Sequence, residues 1–305
     1  MTKPRIALAI GVLCISIFPI LVKLSLTPGL ISAFYRMAIA LALLLPYVIL
    51  KKQFKLKSLK TTLLALLCGV LFGSDVAVWN IAIQESTATQ ASLLTNLSPV
   101  WVGFLAFLFL KDKPSKNFWI GTIVAIFGMI LLVGLDVFLS FSFDRAFVFG
   151  VLSGVLYAFY MLISKRVLET MNVMTFMSLS LMASVIHLAG VSYALNEPFN
   201  GFSSSGWLVL FAQGIVCQLL AWLLISYATK QMRATRVSVS LLGQAILASF
   251  LAWLFLDEAI SLQMIIGGLF LLLGIRITFY NRPILFKPKF YSNNKRQIKE
   301  VETVR

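Results

Sequence analysis

Ten runs of apolar residues, each long enough to cross a bilayer as a helix, occupy positions 5–26, 29–50, 59–83, 86–110, 117–136, 145–166, 172–195, 206–229, 234–256 and 260–281. A hydrocarbon core about 30 Å thick takes roughly 20 residues at about 1.5 Å of rise per residue. Inside lipid only helices and closed barrels satisfy their backbone groups, and runs of this length read as helices. The predicted fold class is an all-α membrane protein with ten transmembrane helices. Composition agrees: 60% of the residues are hydrophobic and mean hydropathy is +0.94, against roughly 45–50% apolar in soluble domains.

The net charge of +15 raises the question of a nucleic-acid partner, and its distribution answers it. Lys and Arg crowd alternate connectors: five in KKQFKLKSLK (51–60), three in KDKPSK (111–116), then Lys165 with Arg166, and Lys230, Arg233 and Arg236. The connectors near 27–29, 84–87, 136–145, 196–206 and 257–261 contribute only Arg145. This is the positive-inside alternation. It predicts a multi-pass protein of the cell (inner or plasma) membrane with both termini cytoplasmic, its macroscopic partner the lipid bilayer and not nucleic acid. MTKPR precedes an apolar stretch longer than the roughly 7–15-residue core of a cleaved signal, with no A-x-A-like exit, so the first span is expected to stay. The polar, basic segment 282–305 is expected to be a cytoplasmic tail attracted to anionic lipid.

The chain also repeats itself. ATQASLLTNLSPVWVGFLAFLFLKD (88–112) and ATRVSVSLLGQAILASFLAWLFLDE (234–258) align without a gap at an offset of 146 residues. The match continues as Ser115 to Ser261, Gly121 to Gly267 and Gly128 to Gly274. Ten spans divide into two sets of five. An odd number per set sends the second into the membrane from the opposite side, so the copies are inverted. The connector after span four then faces inward and its equivalent after span nine outward, which explains why one reads KDK and the other DEA. The predicted units are residues 1–136, 137–281 and the tail. Inverted repeats of this kind are a recurring transporter plan, with the substrate site near mid-membrane where the halves meet.

At this level of detail the chain resembles a known family. SLLTNLSPVWVGFLAFLFLKDKPSKNFWIGTIVAIFGMILLVG and SLLGQAILASFLAWLFLDEAISLQMIIGGLFLLLGI look like the two EamA-type units of the drug/metabolite transporter superfamily. The family's Leu-Gly-Glu close is matched by Leu110-Lys111-Asp112 and Leu256-Asp257-Glu258, and AFYRMAIALALLL (33–45) resembles its second helix, with Arg36 at the arginine position. One departure is Ala245, where the family often has Pro in span nine, while Pro99 is kept in span four. The resemblance implies a ten-helix bundle that moves small metabolites, commonly outward.

Polar groups at membrane depth are costly, about 2.5–3.5 kcal/mol for a charge at a helix centre, so each deep one asks for a role. Asp75 stands in span three with Trp79 one turn on along the same face and Asn80 beside it. A carboxylate next to an indole holds an ammonium by charge and cation–π attraction; the alternative is a fixed pair with Arg36. Asn96 and Ser98 lie mid-span four, where Pro99 frees the carbonyl of Thr95. Pro19 does the same to Ile15 in span one, and both prolines are read as hinges. Tyr157, Gln218, Trp222 and Gln244 complete the predicted substrate-binding set, their alternative being helix-to-helix hydrogen bonds. His187, the only histidine, joins Arg36 and Asp75 as an ion-pair or proton-coupling candidate, its alternative being packing. Gly69/Gly73 and Gly150/Gly154 have the spacing of close helix contact.

These observations lead to a secondary transporter of small organic solutes working by alternating access, with a proton as the candidate coupling ion; the resemblance implies an exporter of metabolites such as amino acids. Amphiphilic or cationic drugs and nucleosides are the competing substrates. No GxxxxGK[ST] loop supplies ATP chemistry. An intramembrane enzyme lacks its signature, since GFSSSG (201–206) is not GxSxG, and unlike polar groups in the two halves argue against a symmetric channel. Cys14, Cys68 and Cys217 lie inside spans without ligand spacing, so neither a metal nor a cofactor is called for.

Overall fold

The computed structural model describes residues 2–18, 20–21, 27–56, 58–85, 96–110, 113–134, 145–256 and 259–280. Pro19, Lys111, Asp112, Asp257, Glu258 and the 282–305 tail lie outside the described residues, as does the side chain of Asn80. Within them every regular element is helical: α1 (Thr2–Ser16), α2 (Gly29–Leu50), α3 (Leu59–Glu85), α4 (Ser98–Phe109), α5 (Lys116–Val133), α6 (Arg145–Thr170), α7 (Val173–Ala194), α8 (Ser204–Gln231), α9 (234–256) and α10 (Leu262–Thr278). Two are irregular. The middle of α8, Gln213–Leu220, is π-helical, and α9 is interrupted at Leu242 between Ala234–Leu241 and Gly243–Leu256.

Seven of the predicted spans contain a described helix long and apolar enough to cross a membrane: α2, α3 and α5 through α9. The described parts of α1, α4 and α10 are shorter, at 15, 12 and 17 residues. The outer surface is what a lipid-facing bundle requires. Leu43, Leu67, Phe104, Ile123, Leu208 and Leu269 are each at least 42% exposed, an apolar exterior unlike that of a water-soluble protein. The interior is filled by Met37, Cys68, Val102, Tyr160, Met161, Cys217 and Ile225. All three cysteines are buried and free.

Short polar residues start the helices. Ser115 and Ser261, paired by the repeat, have the same job: their hydroxyls accept from the backbone N–H of Phe118 and Met264 at 3.2 and 3.1 Å, capping α5 and α10. Asn172 and Ser203 cap α7 and α8 in the same way.

The basic connectors gather at one end of the bundle. The carbonyl of Gln53 accepts from Asn172 Nδ2 (2.9 Å) and Thr175 Oγ1 (3.0 Å), tying the α2–α3 connector to the α6–α7 turn. Lys165 Nζ donates to the carbonyl of Lys230, and Lys230 Nζ to that of Met171, both at 2.9 Å, joining α8 to the same place. At the other end the 195–203 connector lies over the start of α2. Tyr35 Oη donates to the Phe199 carbonyl at 2.6 Å, and the Tyr35 ring meets Trp207 with centroids 4.9 Å apart.

Glycines set the closest helix approaches. On α3 a Cβ at Gly69 would lie 2.7 Å from the Ala183 Cβ of α7, and Ser184 Oγ of α7 donates to the Gly69 carbonyl at 2.7 Å. Where α5 crosses α10, a Cβ at Gly121 would meet the Gly274 carbonyl oxygen at 2.6 Å, and one at Gly128 the Gly267 oxygen at 2.6 Å. The backbones touch directly, as at small-residue crossings in membranes generally.

Candidate functional site

A cavity of about 430 Å³ opens among α1, α2, α3, α4, α5, α6, α8 and α9. Its lining on α3 runs from Phe72 to Trp79 and on α5 from Met129 to Val133, late in both helices. Since both begin next to the basic connectors, the cavity occupies the middle of the bundle and the half away from that basic end. This size suits a small organic molecule.

Eight of the sequence candidates line it: Arg36, Asp75, Trp79, Asn96, Ser98, Tyr157, Trp222 and Gln244. They come from six helices and the turn before α4, so only the tertiary fold collects them. Two charges dominate the wall. Asp75 is 6% exposed and accepts from Ser153 Oγ of α6 at 2.5 Å. Arg36 is 5% exposed, and its guanidinium carbon sits 4.4 Å from the centre of the Phe18 ring. Among the described residues no ion pair joins Arg36 to Asp75, and Arg36 Nε has no hydrogen-bond partner. The pairing alternative therefore gives way to two separate charges facing one cavity, each steadied by a neutral neighbour.

Most of the remaining wall is aromatic and apolar, with Asn96, Ser98, Ser238, Gln244 and Ser249 the neutral polar exceptions. Phe72, Tyr160 and Trp222 form a close group, with Phe72 centroids 4.9 Å from Tyr160 and 4.6 Å from Trp222. Tyr157 borders them, 6.4 Å from Trp222, and its hydroxyl has no partner among the described residues. Trp79 stacks obliquely on Phe18 at 6.2 Å. In this low-dielectric lining a charge–charge contact is far stronger than in water.

The remaining candidates fall elsewhere. Gln218 is 1% exposed and does not line the cavity; its Oε1 lacks a partner among the described residues. It stands in the π-helical segment Gln213–Leu220, one turn before Trp222. His187 is half-buried where α7 meets α3, with Nε2 3.0 Å from Ser74 Oγ, outside the lining. Pro99 is in the first turn of α4 as described, and Thr95, whose carbonyl it was expected to free, lies outside the described residues.

Sequence reasoning missed Ser153, the direct partner of Asp75. The signal was available: Ser153 lies one helical turn before Tyr157 and shares its face. It also missed Phe18, under Arg36, and Ser238 and Ser249, which extend the α9 wall. Nothing in their apolar surroundings marked these residues.

Comparison with known proteins follows the same line. The sequence profile of the EamA-like transporter family matches residues 3–134 and 144–280. An uncharacterized transporter of Clostridium kluyveri is 27% identical over 248 residues, covering 78% of this chain and 79% of its own. The uncharacterized transporter YdfC of Bacillus subtilis is 24% identical over 253 residues, 81% of this chain and 80% of its own. A protein of Rickettsia bellii named as an S-adenosylmethionine uptake transporter is 26% identical over 187 residues, covering 59% and 63%. One crystal structure superposes with a TM-score of 0.78 over 92% of this chain and 97% of the other, at 16% identity, which is a likeness of fold.

Proposed function

This chain belongs to the EamA-like transporter family and is a membrane transporter; from that premise we propose that it carries small zwitterionic metabolites, amino acids and their derivatives, by alternating access between two inverted five-helix halves, residues 1–136 and 137–281. The observation that carries this reading is the pair of buried, mutually unpaired opposite charges on one cavity wall. A free carboxylate answers Arg36 and an ammonium answers Asp75, while Trp79, Tyr157 and Trp222 receive an apolar side chain. Lipid solvates neither charge and no ion pair joins them among the described residues, so a ligand with both charges supplies each with a direct partner. Asn96, Ser98 and Gln244 supply the neutral contacts. S-adenosylmethionine, in the name of the Rickettsia relative, carries the same α-amino-acid end.

Packing supports the inverted duplication. Exchanging each helix for the one five places along turns α3–α6 into α8–α1, α3–α7 into α8–α2 and α4–α6 into α9–α1, and returns α5–α10, α2–α7 and α4–α9 to themselves; all of these pairs are in contact. At the α5–α10 crossing, Gly121 meets Gly274 and Gly128 meets Gly267. Under the 146-residue offset these are one contact seen twice, in antiparallel helices, as a twofold axis in the membrane plane requires. Ten crossings, with Pro19 and Pro99 as hinges, complete this reading. Asp75 or His187 is the proton-coupling group if transport is driven. Export is the inferred direction; the Rickettsia relative is named for uptake, and flux from oriented vesicles decides between them.

Two experiments test this. Purified protein in liposomes is expected to exchange a labelled amino acid for unlabelled amino acids present inside, with saturation; flux that rises linearly with concentration would indicate a pore instead. Orientation is tested by cysteine labelling in whole cells. The gathered basic connectors motivate a cytoplasmic position for residues 51–60 and both termini, with 196–206 outside. A cysteine at Lys55 is expected to resist an impermeant reagent, and labelling there in intact cells would reverse the topology.

A further inference from the structure

We propose that the cleft at the basic end of the bundle, between the first turns of α1 and α9 and the last turn of α10, binds a phosphate group. The cleft has a volume of about 380 Å³ and is lined by Arg5, Arg276, Phe279 and Tyr280. Arg236 borders it: its guanidinium carbon is 5.6 Å from the centre of the Phe279 ring, and that of Arg5 is 5.1 Å from the same ring. Arg236 is held in position by a 3.1 Å hydrogen bond from Nε to the Thr278 carbonyl. The ring is thus flanked by cations from two helices, with a third, from α10, in the same cleft.

The positive-inside tendency accounts for basic residues at this end. It does not account for two guanidiniums, from positions 5 and 236, flanking one aromatic ring with a third, from position 276, in the same cleft. Like charges at this range repel, and neither Arg5 nor Arg276 has an ion pair among the described residues. A phosphate is the complementary group. Guanidinium forks grip its oxygens bidentately, the Tyr280 hydroxyl can add a neutral donor, and one anion offsets more than one cation. Two sources present this chemistry: the headgroup of an anionic phospholipid in the adjoining leaflet, or a soluble phosphate compound. The cleft is separate from the cavity and owes nothing to the substrate assigned there.

The test uses the full chain in nanodiscs of phosphatidylcholine, reading the thermal unfolding midpoint and the lipid retained in native mass spectrometry. Phosphatidylglycerol and inorganic phosphate are added in separate arms. Both readings are repeated in Arg5→Gln and Arg276→Gln, exposed positions whose change leaves the core intact. A midpoint rise with phosphatidylglycerol, and retention about tenfold weaker for each guanidinium removed, supports the site with lipid as the source. The same pattern with inorganic phosphate alone supports it with a soluble source. No rise in either arm, or equal rises in wild type and both variants, overturns it. Neither readout involves transport, so failure here leaves the substrate reading untouched.

Discussion

Arg36→Gln is expected to lower exchange of a zwitterionic substrate in liposomes by at least about 30-fold, the lower bound for removing one partner of a buried charged contact, without lowering the amount of folded protein. The second half of that expectation is the informative one. If Arg36 were the structural counter-ion of Asp75, its loss would strand a buried carboxylate and destabilise the fold by about 3–5 kcal/mol. Here Asp75 already has the Ser153 hydroxyl, and no ion pair joins it to Arg36 among the described residues. Removing an unpaired buried cation relieves a desolvation penalty instead. Asp75→Asn keeps the shape and an acceptor for Ser153, and it separates the remaining roles. With the ammonium bound at Asp75, driven accumulation and exchange both fail. With a proton carried there, accumulation fails and exchange survives, because exchange moves no net proton. Loss in Asp75→Asn with full activity in Arg36→Gln would turn the substrate into a cation without a carboxylate. Wild-type transport in both variants would remove the cavity charges from the mechanism.

The largest effect on stability is expected at the α5–α10 crossing. Gly274→Val puts a Cβ 2.5 Å from the Gly121 carbonyl oxygen. The obstacle is backbone, which cannot rotate aside as a side chain does, so the two helices must separate along their length. Overpacking a close-packed interior costs typically 1–3 kcal/mol, and the rigid obstacle argues for about 3 kcal/mol here. The unfolding midpoint in detergent should fall accordingly. Gly128→Val, against the Gly267 oxygen at 2.6 Å, should match it, because the two positions are equivalent under the repeat. Gly190→Ala on α7 is the control: a Cβ there meets nothing within 4 Å, and replacing a helical glycine should be neutral or stabilising by up to about 1 kcal/mol. A wild-type midpoint in Gly274→Val would mean that α5 and α10 do not touch in the membrane.

The sequence alone determined what the bilayer dictates. Apolar length located the helices, because a fixed hydrocarbon thickness leaves little choice of span. The repeat paired Ser115 with Ser261, and the structure shows both capping a helix, because four orphan N–H groups at a helix end demand a nearby acceptor. The 146-residue offset also marked the glycines that meet at the crossing, although not that they meet each other. Which polar groups share the cavity was decided only by the tertiary structure. These helices are apolar on every side, so the 3.6-residue period that orients an amphipathic helix toward its core carries no phase here. Asp75 could point at Arg36, at Ser153 or at a ligand, and no spacing chooses among them. Trp222 reached the cavity wall and Gln218, one turn before it, did not, a difference the residue types do not record. Arg5 and Arg236 met over Phe279, with Arg276 in the same cleft, because three helix ends, far apart in the chain, stop at the same depth and on the same side of the bundle.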